Sequence, residues 1–153
     1  MKKYTVDRVW TTKAGLQACV IYKRHYCGYV AVSDFSPLYL MNHHNFLERA
    51  IQVHGGLTYS TALPTRVSDY ENQTYPIKSD TFTWWFGFDC GHYDDYNIRQ
   101  KYCEDECEFL AKQLVNIEQK LTKQHTKLLS IEIRITNINQ HKIFISYVNS
   151  LLI

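Results

Sequence analysis

The sequence has no apolar run approaching the ~20 residues that cross a bilayer, and Met1 to Arg8 carry no apolar core of a secretory leader. Neither a membrane partner nor export is expected. Net charge is also scarce. Seventeen basic against fifteen acidic residues leave +2, too little to track a phosphate backbone or to imitate one. Lys23, Arg24 and the lysines near the C-terminus read as solvated faces, so strong direct nucleic-acid binding is not expected. There is no phosphate-cradling loop, no dinucleotide fingerprint and no nucleophile elbow. His54-Gly55-Gly56 has the letters of an oxyanion loop without the Gly-x-Ser-x-Gly that would accompany one. Internal repeats and low-complexity segments are absent. Five cysteines are an odd number with no regular spacing, which excludes a disulfide framework and points to a reducing compartment.

What is present describes a folded domain. The 153 residues are enough to bury a core, and 45% hydrophobic with 21% charged residues is the balance of a globular chain. Strands are expected over 3–10, 16–22 and 26–32, the last two joined by a hairpin through 23–26. A loop at Pro37 closes this unit, and 43–51 reads as a short helix with an asparagine cap. A third strand runs from Val53 to Tyr59, bent at Gly55-Gly56. Residues 64–80 hold two prolines and no apolar period, the mark of a long exposed connection. An aromatic strand over 82–88 leads into an acidic loop at 89–97. From about 102 to 124, Phe109, Leu110, Leu114, Ile117 and Leu121 recur at helical spacing behind Glu104, Asp105 and Glu106.

The fold class is therefore α+β, mainly an antiparallel sheet with one long helix packed on it. Residues 1–125 form this domain, and 126–153 form an extension packed on it or used for association. The extension reads in two ways. Leu114, Leu121, Leu128 and Ile135, with Ile117, Ile131 and Ile138, fit a heptad that continues the helix or forms a coiled coil. Ile131, Ile133 and Ile135 also alternate, as do Ile143, Ile145 and Tyr147, around a polar link. Isoleucine richness favours this second pattern, a hairpin.

Metal-type donors gather at the end of the aromatic strand. Trp84-Trp85-Phe86-Gly87-Phe88 runs directly into Asp89, Cys90, His92, Asp94 and Asp95. A carboxylate closing a buried strand is costly unless something compensates its charge, and a cation does so. Asp89, His92 and Asp95 are spaced by threes, so one tight turn could aim them together. His54 would join from a neighbouring strand, where Gly55-Gly56 lets the backbone pass close. Thr58, Tyr59 and Ser60 are placed to orient a histidine. The set His54, Asp89, His92 and Asp95 suits zinc, with Cys90 the rival donor. Strand parity points Asp89 and Cys90 to opposite faces. The same residues also read as turn chemistry, with Asp89 capping, His92 a loop histidine and Gly55-Gly56 a hairpin turn. Cys103 and Cys107, four apart on the helix, are a ligand pair or simply its apolar edge. Cys19 and Cys27 belong to the core, and His43-His44 to a solvated cap.

The stretches Val53-His54-Gly55-Gly56-Leu57-Thr58-Tyr59-Ser60 and Trp84 to Asp95, with Cys27 to Val30, Pro37 to Tyr39 and Tyr102 to Leu114, resemble a family of small bacteriophage and prophage proteins. The resemblance covers about residues 16–115. It implies that His54, Asp89 and His92 are metal ligands with Asp95 the fourth. It also implies an anti-CRISPR protein that inhibits Cas9 of type II-A, or another host defence protein, in the host bacterial cytoplasm. On that reading the zinc is structural, and tyrosines (twelve in the chain) suit an interface. The protein would bind the recognition lobe and obstruct target-DNA loading. Two other classes fit the residues: a metal-dependent hydrolase with Asp94 or Asp95 as base, and a protein that sequesters a nucleotide signal in an aromatic pocket.

Overall fold

A computed structural model describes residues 5–22, 24–44, 47–62 and 83–151, with side chains for all of these but Thr5 and 144–151. The elements are β1 (Thr5–Thr11), β2 (Gln17–Tyr22), β3 (Tyr26–Ser33), α1 (Leu47–Ala50), β4 (Tyr59–Thr61), β5 (Thr83–Asp89) and α2 (Gln100–Leu151). The strands form one antiparallel sheet in the order β1-β2-β3-β5-β4. The α+β class is as expected. The connection expected at 64–80 lies outside the described residues.

The centre of the sheet is apolar on both faces, which is why β2 and β3 read as nearly continuous hydrophobic runs. On one face Cys19, Ile21, Cys27, Tyr29, Ala31 and Trp85 cluster with Val6, Val9 and Tyr59. The other face carries Gly28, paired to Phe88. A Cβ on Gly28 would lie 2.4 Å from the Phe88 ring and 2.7 Å from Cys107 Sγ. That missing side chain lets α2 lie close, with Cys103, Cys107, Leu110, Ala111 and Leu114 fully buried. Polar contacts hold the helix in place. Glu104 pairs with Arg8, and Glu108 accepts from Trp10 Nε1 at 2.8 Å and from the Lys13 amide at 2.9 Å. Gln113 brackets the Gln52 backbone, accepting at 2.9 Å and donating at 2.8 Å.

Three sequence expectations change. Residues 53–56 are a turn, closed by Gly56 N–H to Val53 O at 2.9 Å, and the strand is confined to Tyr59–Thr61. The positive φ of Gly55 and Gly56 (65° and 84°) is turn geometry outside the range of regular strand backbone. The short helix shrinks to Leu47–Ala50. The preferred hairpin at 126–153 is replaced by helix through Leu151. Residues 100–151 contain no glycine and no proline, the strongest breakers of a helix. Isoleucine in a helix costs at most ~0.7 kcal/mol relative to alanine, too little to break one. The chain divides into two compact units inside α2, Met1–Glu118 and Gln119–Ile153.

Candidate metal centre

The site is built from two loops and one helix. The turn after α1 supplies His54, the loop after β5 supplies His92 and Asp95, and α2 supplies the groups that hold them. One donor atom from each of His54, His92 and Asp95 lies within 4.8 Å of the others. Two ligands of a tetrahedral ion at the usual ~2.1 Å would stand about 3.4 Å apart. This group could therefore hold a metal ion after a small closure.

Each donor is fixed by its own backbone. The His54 amide donates to Glu106 Oε2 at 2.7 Å. Around the loop, the His92 amide donates to Asp95 Oδ2 at 2.8 Å and the Asp95 amide returns to His92 O at 3.1 Å. The His54 ring spans two partners, with Nε2 3.0 Å from both Asp95 oxygens and Nδ1 3.2 Å from the Tyr102 hydroxyl. In one tautomer Nε2–H donates to the carboxylate and Tyr102 donates to Nδ1. In the other, Nδ1–H donates to Tyr102 and leaves the Nε2 lone pair for a cation shared with Asp95. That second arrangement is the usual support of a metal-bound histidine.

Gly55 makes room for the third donor. A Cβ there would lie 1.9 Å from His92 Nε2, so only glycine leaves space for the ring. The His54 and His92 ring centres are 5.5 Å apart. At Asp95, burial pushes the carboxyl pKa up. Hydrogen bonds from His54 and the His92 amide, with the two imidazoles nearby, overcome that and hold it below the usual range. The anion is the form a cation needs.

Of the residues singled out from sequence, His54, His92 and Asp95 come together. Asp89 stands outside the group. Its Oδ1 accepts from the Gly91 amide at 3.2 Å and lies 3.9 Å from His25 Nε2. Cys90 turns into the core as strand parity requires, its Sγ 3.0 Å from Cys103 Sγ. Contact with Cys103, burial and nearby carboxylates push its thiol pKa far up, away from the thiolate that metals bind. All five cysteines are buried. The supporting groups differ from those expected: Tyr59 packs edge-on against Tyr29, and Ser60 serves His43 at 2.8 Å. Tyr102 and Glu106 take that role, and their spacing of one helical turn was the available signal. A separate depression of about 680 Å³, lined in part by Tyr22, Tyr26, Arg99 and Lys101, includes none of the three donors. Among the described residues no helix is long and apolar enough to cross a membrane. Comparison with protein-family models, with curated proteins and with solved structures finds no match for this chain.

Proposed function

We propose that this protein acts by binding, as a phage-encoded inhibitor of the type II-A CRISPR nuclease Cas9 in the host cytoplasm, with zinc as a structural clip. The carrying observation is the convergence of His54, His92 and Asp95, each already tied by its backbone. An ion there would join the 53–56 turn to the 91–95 loop, and through Glu106 and Tyr102 to α2. Two imidazoles and a carboxylate suit zinc better than a hard cation, which prefers oxygen donors. The partner rests on the resemblance of the two motifs to phage proteins. Near-neutral charge favours the recognition lobe over the DNA channel as the surface engaged.

A three-donor set also leaves one position for water, as in catalytic zinc sites, and Asp94 is exposed beside it. One experiment separates the readings. Inhibition of Cas9 should titrate to a fixed ratio, stay constant once binding equilibrates and survive Asp94→Ala. Purified protein should carry one equivalent of zinc, which His54→Ala and His92→Ala lose together with fold stability, because metal-binding energy is then folding energy. Substoichiometric inactivation that deepens with time, abolished by Asp94→Ala while zinc stays bound, would make the protein an enzyme. Absence of inhibition at any ratio ends the assignment of partner.

A further inference from the structure

One heptad frame runs along α2. With Leu114 as an a position, Cys103, Cys107, Leu110 and Leu114 occupy successive d and a positions, all at 0% exposure. Continued in the same frame, the a positions are Leu121, Leu128 and Ile135, and the d positions are Ile117, Gln124, Ile131 and Ile138. Leu121 is half-buried, and from Leu128 on the described seam is exposed: Leu128 is 60% exposed, Ile131 43%, Ile135 53% and Ile138 55%. An a/d stripe sustained over these heptads, with one polar d residue, is the pattern that buries itself against another helix of the same kind.

The flanking charges select the occupant and its direction. The g positions are Lys120, Lys127, Arg134 and His141, and the e positions are Glu118, His125, Glu132 and Asn139. In a parallel pair each g residue faces the e residue five positions on, which sets Lys127 against Glu132 of a second copy. An antiparallel pair sets g against g, bringing the basic rows together. We infer that residues 119–143 of α2 join further copies of this chain in a parallel coiled coil. Leucine at a with isoleucine at d favours more than two strands, and Lys142 at the next a position ends the apolar seam. Leu129, Ile133 and Ile143 fall at b and f, outside the seam. This inference is independent of the metal reading.

Sedimentation equilibrium of the full-length chain tests it. The expected mass is a multiple of 18.1 kDa. Ile131→Lys combined with Ile135→Lys should return it to a single chain, with the aromatic circular dichroism of the sheet unchanged. Ile133→Lys, off the seam, should leave the assembly intact. Lys127→Glu and Glu132→Lys should each raise the dissociation constant roughly tenfold or more, since like charges across an interface are strongly unfavourable. Mixing the two variants should recover association, fully in a dimer or an alternating tetramer and in part in a trimer, because each contact between unlike chains then sets opposite charges together. A single-chain mass for the unaltered protein overturns the inference. So does dissociation by Ile133→Lys as complete as that by the seam variants. Failure of the mixture to recover overturns the parallel arrangement.

Discussion

The helix α2 presents the same stripe twice, to opposite effect. From Cys103 to Leu114 its a and d side chains are wholly buried in the first unit, while from Leu128 to Ile138 the equivalent positions are 43–60% exposed. Helical periodicity alone does not decide whether an apolar stripe is a core or an interface. What decides it is whether the chain supplies another surface. In residues 5–118 the sheet does so, because Gly28 gives up a side chain to admit Cys107. Among the described residues, 119–143 have only the helix itself to offer.

The largest expected effect breaks or confirms that contrast directly. Leu114→Ala and Leu128→Ala remove the same atoms from the same heptad position. The first should cost about 2–5 kcal/mol through lost burial and a cavity. In dilute solution the second should stay within about 0.5 kcal/mol. Urea unfolding of each at low concentration, followed by tryptophan fluorescence, measures both. Equal losses would mean that the exposed stripe is already packed within one chain.

Next come changes to the candidate metal site, with zinc as the proposed ion, which should leave the assembly mass untouched. Gly55→Ala and Gly56→Ala both place a side chain at positive φ, at a backbone cost of about 1 kcal/mol. Only the first also collides with His92, since a Cβ on Gly56 meets nothing within 4 Å. Gly55→Ala should therefore abolish zinc binding in a competition assay with a chromophoric chelator, while Gly56→Ala retains it. Tyr102→Phe removes only the partner of His54 Nδ1. It should weaken zinc by about 10–100-fold, the usual effect of losing such a supporting group. Loss of zinc with equal severity in Gly56→Ala would point to turn stability as the controlling quantity.

The contrast between regions also marks what sequence alone could reach. The sheet was legible in its strands because alternation and aromatic bulk fix burial locally. Trp84 to Phe88 and Gln17 to Tyr22 lie where the pattern puts them. The 53–56 turn was not, because Val53 and Leu57 carry strand propensity, and the requirement at Gly55 is the passage of His92, a residue 37 positions away. Asp89 could not be separated from Asp95 by spacing, since both lie three residues from His92. Their roles diverge because Asp89 still belongs to β5 while Asp95 closes the following loop. At the tail, alternating isoleucines and the heptad are both present in the same residues. The absence of any glycine or proline after Gly91 was the stronger signal.

The smallest effect concerns His43, which donates its amide to Ser60 Oγ at 3.0 Å and sets Nδ1 2.8 Å from the same oxygen. Burial lowers its pKa, the neighbouring His44 adds to that, and Glu48 opposes it. The folded protein therefore holds fewer protons than the unfolded chain in a window just below the ordinary histidine value of ~6.5. Stability rises with pH across that window. It is fully present above the unfolded pKa and is lost as pH falls through the lowered folded one. Urea midpoints between pH 5 and pH 8, taken in the Ile131→Lys/Ile135→Lys background, keep the seam from contributing. His43→Gln should be less stable than its parent at pH 8, by an amount that narrows as the pH drops. Parallel curves for the two proteins would show that the His43–Ser60 contact has no part in the acid sensitivity of the first unit.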